Sequence, residues 1–543
     1  MKKIHITLFV ILFGFCSMFA QKTITGTIMD TEGEPLIGAN VLGVGVTVGT
    51  ITDIDGSFNL NLPEEVNELE VSYIGFATKR VSIEGRSSID ITLSQGELLK
   101  EVVIVGYGTA KKSNMVESVS TIEGDAVTKI PIASIDNLIQ GKSTGVEVTA
   151  INGKPGQTAY ARVRGLTSIN GNNDPLFIID GIPVPRDVYS AINPNDIKEF
   201  SVLKDAAATA IYGARASAGV IIITTKRGSS ENSFVEYSFQ AGTKQALDDG
   251  FTLMNATEKL NYEIAAGARG LLSAEERASI LEYGQDWEDV LLRSGQVFSH
   301  NLAFSGGNDK GAYYLSVSKY DEEGISLGSD FRRISAKFNG SYKINDWVSV
   351  SNSLNVSRRR DNELRDRYNV QSPFVAQYIY NPYETVYNLD ENGEPIINSS
   401  GNPDYNFTHA GFNIVEAINN NPESNEWIDL YGSTSLILTP FENFSFTSTA
   451  GLTNTNFKRE YFIQPGSILD FYVGDVDAPG IKTDGGRTLN RYITTNVAQY
   501  NFALNNRNNL TLLAGTEFLK DKNESYSISA KGFPVGLTVQ DVA

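Results

Sequence analysis

From about residue 233 onward, apolar and polar residues alternate in long runs. In "WVSVSNSLNVS", Val348, Val350, Leu354 and Val356 fall on one face, while Ser349, Ser351, Ser353, Asn355 and Ser357 fall on the other. "NFSFTSTAGLTN" sets Phe444, Phe446, Ala450 and Leu452 against Ser445, Thr447, Thr449 and Thr453. "QYNFALNNRNNLTLLAGTEF" sets Tyr500, Phe502 and Leu504 against Gln499, Asn501 and Asn505. A period of two sends successive side chains to opposite faces, so each run reads as a strand with two chemically different sides. A soluble sandwich also alternates. Here, however, the polar side is small, neutral and rich in Ser, Thr and Asn. Turns such as "GGNDKG" are short, and segments such as 361–425 are long. Short turns at one end and long loops at the other fit a barrel that crosses an outer membrane, with lipid outside and water within. Roughly nine such strands are expected.

The N-terminus, "MKKIHITLFVILFGFCSMFAQK", has a charged start at Lys2 and Lys3, an apolar stretch from Ile6 to Phe15, and Ala20 at the −1 position of a cleavage before Gln21. It reads as an export signal rather than a buried helix. Phe15 directly before Cys16 argues against lipidation. Removing the signal takes away the single Cys, and with it any disulfide, thiol nucleophile or Cys metal site. The net charge of −19 argues against a nucleic-acid binder. Of three His, His5 goes with the signal; His300 and His409 support neither a triad nor a zinc cluster, so no enzyme and no cofactor are expected.

Between signal and alternating region lie two folded units and a linker. Residues 21–96 hold short runs, "TITGTIMD", "ANVLGVGV", "GTITDIDGSFNLNL", "ELEVSYIGF", "ATKRVSI" and "SIDITL", spaced by turn residues as in a β-sandwich. "DIDG" invites a calcium reading, but the loop pattern needs a bidentate acid at its end; a hairpin turn with Asp55-Gly56 at its tip is the simpler expectation. Residues 97–112 follow as a linker carrying "ELLKEVVIVGYGTA". This apolar, β-branched stretch reads either as one more strand of a neighbouring unit or as a strand that pairs with the sheet edge of another protein. Residues 113–228 look mixed α/β. "SIDNLIQGKSTGVEV" suggests a helix and then a strand, Asn193 can cap a helix with Pro194 at its first position, and Gly213 can end an Ala-rich helix. "RRR" at 358–360 reads as a strand-end charge cluster.

These stretches carry a family resemblance. "DTEGEPLIGANV" with "TDIDGSFNL" is similar to the carboxypeptidase-regulatory-like sandwich. "RVRGLTSINGNNDPLFIIDGIPV" and "INPNDIKEFSVLKDAAATAIYGARASAGVIIITTKRG" look like the plug signatures of the SusC/RagA family of TonB-dependent transporters, and the segment from "DWEDVLLRSGQVFSH" to "NDWVSV" resembles the start of its barrel. The resemblance runs through the whole chain. It implies a mainly β protein: signal peptide 1–20, sandwich 21–96, linker 97–112, plug 113–228 and partial outer-membrane β-barrel 229–543. It implies import of oligosaccharides or peptides across the outer membrane, with sandwich and plug on the periplasmic side. The implied partners are a SusD-like surface lipoprotein, TonB with ExbB–ExbD, and outer-membrane lipid. The implied TonB contact is the linker strand, residues Leu99, Glu101, Val102, Val103, Ile104 and Val105. A transducing receptor is the alternative, but residues 21–96 leave no room for a separate signalling domain. The family barrel has about twenty-two strands around a plugged lumen. A chain with fewer than half of these is expected to be a portion of a longer protein, and a truncated, non-transporting remnant is a further alternative.

Segment 361–425 is the longest non-alternating stretch of the barrel region and is rich in Tyr, Phe and Asn. Tyr368, Phe374, Tyr378, Tyr380, Tyr383 and Tyr387 are candidates for contact with substrate or with the lipoprotein lid, since aromatic faces stack on sugar rings and Tyr is enriched in protein contacts. Ordinary loop packing is the other expectation for the same residues.

Overall fold

The computed structural model describes residues 21–94, 102–105, 108–111, 119–124, 131–149 and 154–534, apart from positions 32, 45, 47, 74–75, 77, 158, 170, 172, 206–208, 230–232, 248–249, 251, 363–369, 400 and 506–507. The chain divides into two units, 1–116 and 117–543. No helix among the described residues is long and apolar enough to cross a membrane.

The first unit is a sandwich of two sheets. Strands β1 (Gln21–Met29), β2 (Asn40–Gly43), β3 (Gly49–Ile51), β4 (Ser57–Pro63), β5 (Glu68–Ser72), β6 (Lys79–Ser82) and β7 (Ile91–Thr92) form sheets of order β4-β1-β7 and β3-β2-β5-β6. Alternation along β4, with Phe58, Leu60 and Leu62 inward, supplies one side of the core; Val41, Leu69 and Val71 supply the other. The "DIDG" turn closes as expected at its tip. Asp53 Oδ1 accepts the backbone N–H groups of Asp55 at 3.0 Å and Ser57 at 2.8 Å, and Gly56 sits at φ 72°. It is not a hairpin, however: β3 pairs with β2 and β4 with β1, so the turn carries the chain from one sheet to the other. Two short strands follow, β8 (Val102–Val105) and β9 (Gly108–Lys111), which pair antiparallel with each other.

The second unit opens with β10 (Val119–Glu123), β11 (Val146–Thr149), β12 (Tyr160–Val163), β13 (Leu176–Ile179), β14 (Ile182–Val184), β15 (Ile197–Leu203) and β16 (Val220–Thr225). Five of these make a mixed sheet of order β10-β15-β16-β13-β14. All six residues of β16 are buried, as a β-branched run at the centre of a covered sheet should be. Asn193 accepts from the N–H of Asn195 at 3.2 Å and caps Pro194–Asp196, a single 3₁₀ turn. Part of the Ala-rich stretch, positions 206–208, lies outside the described residues, and Gly213 ends the helical turn that follows, as expected. Ala210–Ala216 is a 3₁₀ run broken at Gly213, whose φ of 66° and ψ of −157° no helix accommodates.

Around this plug runs an antiparallel meander of nine strands: β17 (Phe234–Lys244), β18 (Gly295–Asn308), β19 (Gly311–Glu323), β20 (Asp330–Asn345), β21 (Val348–Asn362), β22 (Glu423–Leu438), β23 (Phe444–Ile463), β24 (Ile481–Asn505) and β25 (Asn508–Lys531). Among the described residues the two outer strands do not pair, so the barrel is not closed. The polarity is inverted relative to a soluble sheet. Leu354 and Val356 are 42% and 41% exposed, whereas Ser353, Asn355 and Ser357 lie at 8%, 0% and 2%. The apolar side therefore faces outward, as a lipid-facing wall requires, and the polar side closes on the plug. The long connections (245–294, 363–422 and 464–480) all leave from one end. The plug exits at the other, where Gly228 lies so close to the Tyr313 backbone that a Cβ would stand 2.2 Å from its carbonyl oxygen.

Candidate functional site

The seam between plug and barrel wall is built from polar side chains that the strand alternation sends inward. One node of this seam is Asp180, in the turn between β13 and β14 at φ 47°. Lys337 Nζ on β20 donates to Asp180 Oδ2 at 2.7 Å and to Ser353 Oγ on β21 at 2.8 Å. Ser353 Oγ also donates to Asp180 Oδ2 at 2.7 Å. From within the plug, Thr225 gives Asp180 its N–H at 3.0 Å and its hydroxyl at 2.7 Å. The ion-pair side chains are 0% and 2% exposed. Burial alone would raise the Asp180 pKa, but the Lys337 charge and these hydrogen bonds outweigh it and hold the pKa at about 2. Beside this node, Asn339 Nδ2 donates to Thr225 Oγ1 at 2.7 Å and to the Lys226 carbonyl at 2.6 Å, pinning the point where the chain leaves the plug.

A second set of contacts grips the other plug loops. Arg333, 1% exposed, donates from Nη1 to the Ala133 carbonyl at 3.0 Å and lies over the Tyr320 ring. Arg359 pairs with Asp429 at 2.9 Å and donates to the Ser190 hydroxyl. Asp196 accepts from Tyr314 at 3.0 Å and from Ser316 at 2.5 Å, and burial pushes its carboxyl above the ordinary range. Asn193 donates to Asn301 at 2.9 Å. The "RRR" run lies near the end of β21 as expected; Arg358 and Arg360 are exposed, but the middle arginine points inward and is 4% exposed. None of Asp180, Lys337, Arg333 or Arg359 stood out as a site residue in the sequence. The available signal is a lone charge at an inward position of a strand otherwise lined by Ser, Thr and Asn.

The long loops at one end of the barrel form a small folded cluster with its own core of Trp287, Tyr380, Phe412, Ile414, Ile468 and Leu469. Asn413 and Ser467 cap the two helices that supply its last residues, Ile414–Asn420 and Ile468–Val473. The six aromatic candidates separate here. Tyr368 lies outside the described residues. Tyr380 is 4% exposed: its ring meets Trp287 edge-on at 4.6 Å and its hydroxyl accepts the Ile414 N–H at 3.1 Å, so it is a packing residue with no ring face for a partner. Tyr383 donates to Glu263 at 2.9 Å and accepts from Arg269 at 3.1 Å. Burial, helped by the Glu263 carboxylate, raises its pKa to about 12. Tyr387 packs against Tyr405 at 5.0 Å, and Phe374 is half-buried on the helix Pro373–Ile379. Tyr378 is 55% exposed and lines an open cleft of about 740 Å³ with Met254, Asn255 and Trp287.

Of the linker candidates, Leu99 and Glu101 lie outside the described residues. Val102, Val103, Ile104 and Val105 form β8, and β9 occupies one of its edges; the two strands make a sheet by themselves. No group of His, Cys, Asp or Glu able to hold a metal occurs among the described residues.

Comparison with known proteins agrees with this architecture. The family model of the CarboxypepD_reg-like domain matches residues 24–105, and that of the TonB-dependent Receptor Plug Domain matches 111–220. TonB-dependent receptor P26 of Formosa agariphila is 31% identical over 527 residues, covering 96% of this chain and 51% of that receptor. TonB-dependent receptor SusC of Bacteroides thetaiotaomicron is 36% identical over 354 residues, covering 62% of this chain and 34% of that receptor. Among solved structures, the RagAB peptide importer in its open–open state superposes with a TM-score of 0.68 at 25% identity, over 80% of this chain and 50% of that one. The chain spans about half the length of the relatives it matches over most of its own length. Identity that runs through sandwich, plug and barrel strands alike places the chain in the SusC/RagA family of TonB-dependent receptors.

Proposed function

We propose that the receptor represented by this chain imports oligosaccharides or peptides across the outer membrane, driven by TonB with ExbB–ExbD and served by a SusD-like surface lipoprotein. The observation that carries this reading is the chemistry of the seam. The plug is joined to the wall of β18–β21 largely through hydrogen bonds and ion pairs, at Asn193, Asp196, Asp180 and Thr225. Polar groups that separate can take up water, so such a seam opens and recloses at smaller cost than an apolar core of the same area. A barrel meant only to be plugged would gain by greasing this interface. The linker strand is the handle in this reading: Val102–Val105 has one edge paired with β9 and offers the other to the sheet of TonB. Deleting residues 99–106 from the full-length receptor is the test. Uptake is expected to stop while substrate still binds at the cell surface; undiminished uptake would show that the energy enters elsewhere.

A further inference from the structure

The outward face of the barrel wall changes character toward its long-loop end. Outward residues that pair across β18–β22 form rows. Two of these rows are apolar on β20 and β21, Phe338↔Leu354 and Ala336↔Val356, and the second continues through Val317, Leu302 and Leu430. Next come Ile334↔Arg358 and then Arg332↔Arg360. Two arginines directly opposite each other on one face of a sheet repel, and the pairing suffers unless an anion lies between them. Their guanidinium ends are open: the Arg332 side chain is 69% exposed and that of Arg358 62%. Nearby acids cover only part of the charge. Asp321 lies 2.7 Å from Lys319 and 4.0 Å from Arg332, and Glu426 is held by Arg358 at 2.5 Å. Lys319, Arg332, Arg358 and Arg360 thus face two carboxylates. Lys458, beside Glu426 in the same row, pairs with Glu460. Glu323 and Asp330 stand one row closer to the loops, and Asp330 accepts from Asn362 Nδ2 at 2.5 Å.

The depth of the arginines fits the border of a membrane. From Val350 to Arg358, β21 advances eight residues. At about 3.4 Å per residue and a tilt of about 40°, this is a rise of roughly 21 Å, close to the ~25 Å apolar band of outer-membrane barrels. Long loops mark the outer end of such barrels, so the arginines stand at the head-group level of the outer leaflet. We infer that Arg332, Arg358 and Arg360 clamp the phosphomonoester of a phosphorylated glycolipid of the lipid A class, whose acyl chains lie along Ile334, Phe338, Leu354 and Val356. This goes beyond the import reading and does not depend on it. Charge selects the class of lipid. A phosphomonoester carries close to two negative charges at neutral pH and three acceptor oxygens, which suits an excess of two cations and three planar forks. A phosphodiester offers a single charge and leaves one of the opposed arginines uncompensated.

The test uses the full-length receptor in detergent, freed of bound lipid, and reads binding by titration in native mass spectrometry. The probes are monophosphoryl lipid A, the same lipid with its phosphate removed, and phosphatidylglycerol. Wild type is expected to bind monophosphoryl lipid A at least about tenfold more tightly than either of the others. Arg332→Gln and Arg360→Gln should each weaken that binding by about tenfold or more, and Arg360→Lys should keep only part of it, because an ammonium lacks the fork. Heat-modifiable migration should stay as in wild type, and lipid-free Arg360→Gln should melt no lower, since a repulsion is relieved. Lys522→Gln, on the outward face of β25 and paired with Glu524 at 2.8 Å, is the control and should bind normally. Equal binding of the dephosphorylated lipid or of phosphatidylglycerol, unchanged binding in Arg332→Gln and Arg360→Gln, or an equal loss in Lys522→Gln would each overturn the clamp. So would Arg360→Gln changing the oligomeric mass but not the lipid bound, which would assign this face to a second copy of the chain.

Discussion

Replacing Lys337 with Met removes the one opposite charge that, among the described residues, is placed directly against Asp180, while keeping a side chain of similar length. The carboxylate would keep the Thr225 N–H at 3.0 Å, the Thr225 hydroxyl at 2.7 Å and the Ser353 hydroxyl at 2.7 Å, but it would be left buried without a counter-charge. Breaking a buried pair from one side costs about 3–5 kcal/mol, most of it the penalty of the stranded ion. Asp180→Asn in the Lys337→Met background removes that ion and should recover most of the loss, so the double mutant is expected to be more stable than the single one. Hydrogen exchange of the detergent-solubilised full-length receptor, followed in peptides spanning β13–β14 and β16, reports the local opening free energy. Protection in Lys337→Met should fall by roughly a hundredfold or more, and recover in the double mutant. The sign with pH follows from the depressed pKa. The stabilisation from Asp180 is fully present above its ordinary value of 3.8 and drains away as pH falls toward about 2. Equal protection in wild type and Lys337→Met, or a double mutant as loose as the single one, would refute the claim that this pair fastens the plug.

Three further outcomes are expected. Val356→Arg, on the outward face, should cost about 2–4 kcal/mol in liposome unfolding, whereas Val350→Arg, two residues from the start of β21, should cost nearer 0–1 kcal/mol. Ser351→Arg, on the inward face, should cost much less than Val356→Arg; equal costs would speak for a soluble sheet. Tyr380→Ala should destabilise the outer loop cluster by about 3–5 kcal/mol, measured as lost protease resistance of 373–420, because it empties a core position. Tyr378→Ala should leave the cluster intact; if Tyr378 meets the lipoprotein, co-purification of that partner should drop, and unchanged co-purification together with unchanged ligand binding would assign it to loop packing.

The strand alternation could be read directly because a period of two survives any tertiary context. Val356 and Ser357 must take opposite sides, and the small, neutral polar face already marks the side turned to the lumen. The Asn193 cap and the "DIDG" turn were likewise legible, since each is a contact between residues close in sequence. What the sequence hid is long-range. Asp180 and Lys337 are separated by 157 positions, and nothing local to either one announces the other. The "DIDG" strands go to different sheets because their pairing partners, β1 and β2, lie outside the turn. The aromatic candidates of the outer loops share one composition, yet burial divides them, with Tyr380 inside the cluster and Tyr378 at its surface. Gly213 was legible as a helix terminator because only glycine takes its positive φ without strain.

The order of the plug sheet, β10-β15-β16-β13-β14, gives the plug a mechanical direction. Its first strand in the chain lies at a margin and, among the described residues, is held by five residue pairs to β15 alone, while its last strand lies in the middle with neighbours on both sides. A pull arriving from the N-terminal side can strip one strand and leave the rest of the sheet standing. The same pull from the C-terminal side would have to tear out the centre. The plug is therefore a knot with one loose end, and that end is the strand that comes first in the chain.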